Sequence, residues 1–140
     1  MQNLMLPPSW NHVATIGELA SLGISPRRAQ RLAERGLLDR VRPGIYATPE
    51  APADVVAAAR VGGRLAGASA AAVHGLWVPV EPRLVVEVGR RADLRNPHDV
   101  DQPLDRSDPG IRILWNRIAP PRRVGLSPVD AVAAQVLRSE

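Results

Sequence analysis

The chain has 140 residues, 45% of them hydrophobic and only 3% aromatic with no Phe, so any core must be built from Leu, Val, Ile and Ala. The absence of Cys excludes disulfides, thiolate metal sites and Cys nucleophiles, and His12, His74 and His98 lie too far apart for metal-ligand spacing. All 18 basic residues are Arg, the formal net charge is +4, and no apolar stretch reaches the ~20 residues of a membrane span, so an anionic partner is expected instead of a lipid one.

Residues 1–10, MQNLMLPPSW, lack the basic start and apolar run of a signal peptide, so a cytoplasmic protein is expected. Pro7 and Pro8 open a short helix through Trp10 and His12. Thr15 and Glu18 form a capping-box pair, which starts a helix at Ile16 that Gly23 stops. Ser25 followed by Pro26 is a second N-cap and first-turn signal, and the helix it opens runs to Arg35 before Gly36. Ala29, Leu32 and Ala33 fall on its buried face, leaving Arg27, Gln30, Arg31, Glu34 and Arg35 opposite and Arg28 on the flank. Two short helices joined by a Gly-containing turn read as a helix-turn-helix. Leu38–Val41 and Ile45–Ala47 read as strands around an Arg42-Pro43-Gly44-Ile45 turn, which makes a wing.

Residues 1–48 carry six Arg against three acids, +3, while residues 49–140 carry twelve against eleven, +1. Basicity therefore concentrates in the part that reads as a winged helix-turn-helix. Beyond Pro49 and Pro52, Asp54–Val61 reads as a helix, Gly62-Gly63 as its break and Arg64–Gly67 as a short strand. Ser69 then caps a helix through His74. A linker bracketed by Pro79 and Pro82 follows, then a buried strand at Leu84–Val88, a polar exposed loop at 89–110 and a strand at Ile111–Trp115. After Pro120-Pro121, Ser127-Pro128 opens a last helix from Val129. The expected fold class is α+β, with a winged helix-turn-helix over 1–48 and a small mixed α/β region over 49–140.

The segment VATIGELASLGISPRRAQRLAERGLLDRVRPGIYATPE resembles the N-terminal winged-helix domain of AbiEi-type antitoxins of type IV toxin–antitoxin systems. GASAAAVHGLWVP is similar to the segment that follows the wing in those proteins. The resemblance implies a transcriptional regulator that represses its own operon by binding operator DNA. Many relatives continue into a part like a very-short-patch-repair endonuclease. This chain stops at Glu140, so a truncated relative is expected, and the missing half would hold any such activity.

The expected DNA-contacting residues are Ser25, Arg27, Arg28, Gln30, Arg31 and Arg35 on the second helix, with Arg40 and Arg42 from the wing. Arg matches phosphates and guanine edges and Gln can reach adenine. The bland alternative is a solvated face on which Glu34 pairs with Arg27 or Arg31. Tyr46, Trp77 and Trp115 read as packing residues, Trp10 as a staple onto the helices, and His74 as structural. No catalytic residue, metal or cofactor is expected. The partner is double-stranded DNA, with a homodimer for tight binding and no membrane contact. A cognate toxin would not need to touch this chain. The rival readings are a metal-dependent nuclease, with Glu87 and Asp93 as candidate carboxylates but no Lys beside them, the DNA-targeting part of a very-short-patch-repair-like endonuclease whose catalytic domain is missing, and a winged helix that grips an acidic protein.

Overall fold

The computed structural model describes residues 5–77, 81–118 and 124–138. The order begins with a 3-10 turn at Pro8–Trp10, β1 (Val13–Thr15), α1 (Ile16–Ser21), α2 (Pro26–Glu34), β2 (Asp39–Arg42) and β3 (Ile45–Ala47). It continues with α3 (Ala53–Val61), β4 (Arg64–Leu65), α4 (Gly67–Val73) and β5 (Leu84–Gly89). The last elements are β6 (Arg95–Asn96), β7 (Asp99–Pro103), β8 (Ile111–Asn116), β9 (Gly125–Leu126) and α5 (Val129–Arg138). The fold is α+β, as expected.

The first helix pair forms for the reasons its caps suggest. Thr15 Oγ1 accepts the Glu18 N–H at 3.1 Å, and Glu18 Oε1 accepts the Thr15 N–H at 2.8 Å. This closes two donors that the first helical turn leaves open. Gly23 turns the chain at φ +83°, and the buried Ile24 donates its N–H back to Leu19 O at 3.0 Å. The short 3-10 turn ends sooner than expected, because Asn11 and His12 both take positive φ. That bend frees Val13–Thr15 to pair with β3, a strand too short for its alternation to be read. The resulting sheet has the order β1-β3-β2.

A second sheet has the order β8-β5-β4-β9, with β5 parallel to β8 and β4 parallel to β9. Parallel neighbours require a crossover, and the 90–110 segment supplies the one between β5 and β8. That segment was expected to be an exposed loop throughout. It instead contains the β6–β7 hairpin, with Leu94 just before it and Pro97 in its turn both buried. Its Asp and Pro content masked strands that need only two residues on one side.

Two further expectations are corrected. Ser69 does not cap α4, whose N-cap is Ala66 with no side-chain bond. The Ser69 hydroxyl accepts the Val85 N–H at 3.1 Å and donates to Arg83 O at 3.1 Å, so it ties the helix to the edge of β5. Trp77 and Trp115 are not core residues, being 92% and 49% exposed. Tyr46 is buried and Trp10 packs on the helix pair, both as expected. The break at Pro120-Pro121 and the Pro79 end of the linker fall outside the described residues.

The core has two parts. Ala14, Leu19, Ile24, Ala29, Leu38 and Tyr46 fill the space between α1, α2 and the first sheet. The larger cluster runs from Val55, Val61 and Leu65 to Val86, Val88 and Val132 and also takes in Val13, Val41 and Ala47. Strand side chains alternate between faces, so one face of the first sheet serves the helix pair and the other serves the second half of the chain.

Candidate nucleic-acid interface

The Ser25 hydroxyl accepts the Arg28 N–H at 3.2 Å, which caps α2, and Pro26 occupies the first turn without an unused donor. Ala29 is fully buried, and Leu32 and Ala33 pack partly against the same cluster. With that face committed, helical geometry turns Arg27, Arg28, Gln30, Arg31, Glu34 and Arg35 outward, and all six are exposed. Among the described residues none of these four arginines forms an ion pair, and Glu34 forms none either. The alternative of a self-neutralised face is therefore not what the geometry presents. Four permanently charged guanidinium groups stand on two and a half turns of helix with their donors unused by any other described residue.

Arg40 is exposed on β2, directly across from Tyr46 of β3. Arg42 is placed differently. A register shift between Arg40 and Arg42 turns its side chain inward, where it is 16% exposed. Its Nη1 donates to Arg60 O at 3.3 Å and Asp93 O at 3.2 Å, and Nη2 lies 3.9 Å from Asp93 Oδ2. Gly62 allows this approach, since a Cβ there would lie 3.0 Å from Arg42 Nη1 and 3.1 Å from Asp93 O. The turn itself is held from the other side, where the Ile16 N–H donates to Gly44 O at 2.8 Å. Seven of the eight expected contact residues thus lie exposed on or capping α2 and on β2, and the eighth bridges the hairpin to α3 and to the segment that follows β5.

The carboxylates considered for a nuclease do not assemble a metal site. Glu87 is buried on β5, with Arg64 Nε and Nη2 each 2.7 Å from its Oε1 and Gln135 Nε2 donating to its Oε2 at 2.9 Å. Gln135 also donates to Ser127 Oγ and accepts the Gly67 N–H, which uses both of its amide donors and engages its oxygen. The His74 ring donates through Nε2 to Ser127 O at 2.7 Å, closing α4 onto the start of α5. This network was not foreseen from sequence, because its members are brought together only by the pairing of β4 with β5 and the packing of α4 and α5. Among the described residues no group of three or more His, Asp or Glu side chains is placed to hold a metal ion.

The fold and the exposed face define the class first: a mixed α/β protein with a winged-helix-like N-terminal part carrying an arginine-rich second helix. Residues 9–49 match the family model described as the transcriptional regulator, AbiEi antitoxin. The matched segment is the one that holds the helix pair and the first sheet. The likeness noted for 67–79 lies beyond it. No curated protein matches the chain. No helix among the described residues is long and apolar enough to cross a membrane.

Proposed function

We propose that this chain is a sequence-specific binder of double-stranded DNA that represses its own operon as the antitoxin of a type IV toxin–antitoxin system. The observation that carries the reading is the α2 face, on which the side chains of four exposed arginines and Gln30 have no ion-pair or hydrogen-bond partner among the described residues. In this reading α2 enters the major groove, where Arg27, Arg31 and Arg35 meet guanine edges or phosphates and Gln30 meets adenine. Ser25 and Arg28, at the helix start, approach the backbone, where the helix dipole favours phosphate. Arg40 adds a contact from the hairpin. Residues 1–48 act as the reading module and 49–140 as its support. The protein works in the cytoplasm without catalysis, and pairs as a homodimer because one such module offers few base contacts.

The test is binding to the DNA upstream of the gene over a salt series. Each phosphate contact contributes a slope of about −0.9 in log affinity against log salt. Arg31→Ala with Arg35→Ala should shallow the slope by about two units if both meet phosphate. Equal affinity for a scrambled duplex would remove the claim of sequence specificity. Retention of an acidic protein in place of DNA would favour the protein-binding alternative.

A further inference from the structure

Parallel pairing of β5 with β8 sets Val88 beside Trp115 and Gly89 beside Asn116, so the two strands end at the same edge. The residues that leave that edge are Arg90 and Arg91 from one strand and Arg117 from the other, all three exposed. Arg90, Trp115, Asn116 and Arg117 line a groove of about 380 Å³. Among the described residues none of the three arginines has an ion-pair partner, unlike Arg64, Arg83 and Arg95 elsewhere in the chain. No acid lines the groove. The half-exposed Trp115 carries Arg106 over its ring at 5.7 Å, so a fourth cation stands over one face of the indole.

This edge is joined to the hairpin of the N-terminal part. Asp93, two residues beyond Arg91, is the residue whose carbonyl and carboxylate receive Arg42. The Ala92 N–H donates to Gly89 O, which makes 89–92 a turn that holds Arg90 and Arg91 close to that junction. Asp93 is the acid nearest the turn, and its carboxylate is already engaged by Arg95 at 2.8 Å. Uncompensated guanidinium groups next to the hairpin suit a continuous polyanion better than an isolated one, because one duplex could span both surfaces.

We propose that Arg90, Arg91 and Arg117 form a second phosphate-binding surface that extends the duplex footprint past the hairpin onto the end of the β5–β8 sheet. This rests on the DNA-binding reading of α2. The surface contributes affinity without base readout, since phosphate contacts carry no sequence information directly.

The experiment uses the full chain and its upstream duplex over a salt series, comparing the unmodified protein with two triple variants. Arg90→Gln, Arg91→Gln and Arg117→Gln together should shallow the salt slope by about two to three units while keeping the preference over a scrambled duplex. The corresponding Lys triple should keep the slope, because charge alone is required. Circular dichroism and urea midpoints should match the parent for both triples, since among the described residues these side chains form no ion pair or cation–π contact. A Gln triple that folds and retains the parental slope overturns the proposal and leaves the α2 reading standing. A parent that binds no duplex at any salt overturns both. Loss of sequence preference in the Gln triple, with an unchanged slope, would place the three residues on bases and also overturn it.

Discussion

Arg42 separates two roles that an arginine beside a hairpin turn can play. If it braces the hairpin, Arg42→Ala should reduce folding stability and leave the salt slope of DNA binding intact. Its two hydrogen bonds reach the carbonyls of Arg60 and Asp93 at 3.3 and 3.2 Å, from a side chain only 16% exposed. Hydrogen bonds to charged groups contribute roughly 1.5–3 kcal/mol each, and these long ones belong at or below the lower end. The ion pair to Asp93, at 3.9 Å and with the carboxylate 65% exposed, adds at most about 1 kcal/mol. The expected loss is therefore roughly 2–4 kcal/mol. With a urea m-value of about 2 kcal/mol/M, the midpoint should fall by roughly 1–2 M. Binding at a temperature where the variant is folded should keep the parental dependence on salt, since Arg42 itself meets no phosphate. An unchanged urea midpoint together with a slope shallower by about one unit would refute the bracing role and return Arg42 to the phosphate-contacting set.

Three further outcomes follow from the second half. Arg64→Met leaves Glu87 buried without its cation and should cost about 3–5 kcal/mol, whereas Arg64→Met with Glu87→Leu should recover most of that loss in urea unfolding. Recovery absent from the double variant would mean the pair also specifies the packing of Gln135 and α5. Gly63→Ala places a Cβ only 2.0 Å from Glu87 O, a backbone atom that cannot swing aside, so β4 must separate from β5. The expected cost is at or above the roughly 1–3 kcal/mol of an overpacked core, and a parental thermal midpoint would contradict the β4–β5 approach. Glu81 is held at a pKa of about 2, against an ordinary 4.5, chiefly by its hydrogen bonds from Arg83. Its folded pKa is depressed, so the pair's stabilisation is present above pH ~4.5 and disappears as pH falls toward 2. Arg83→Ala should raise the Glu81 titration midpoint, followed by its side-chain carboxyl resonance.

Legibility in the sequence tracked how local each cause is. Thr15 with Glu18, Ser25 with Pro26, and Gly44 in its turn act within four residues, and each gave the structure it suggested. The exposed face of α2 was readable for the same reason: one buried Ala and a helical period decide which arginines point outward. What escaped depends on partners far along the chain. β1 is a strand only because β3 returns beside it, and Ser69 abandons a cap because Val85 of β5 and the preceding Arg83 offer it two backbone partners. Trp115 looked like a core residue by size, yet β8 is the outer strand of its sheet, and an edge can leave a large ring half in solvent.

The placement of Arg42 has a consequence for how the two halves depend on each other. Val13, Val41 and Ala47 belong to the first sheet, yet they are buried with Val55, Val61 and Val88 and not with Leu19 and Ile24. The alternation of strand faces makes this unavoidable: the side chains between those serving the helix pair must be covered by something apolar. Removing residues beyond 48 would bare Val13, Val41 and Ala47 and leave Arg42 without both of its carbonyl partners. α2 is thus oriented through a sheet whose rear face is completed by the second half. A change in that half, at Gly62 or Asp93 for instance, should reach DNA affinity through hairpin position, with no side chain there needing to touch a base.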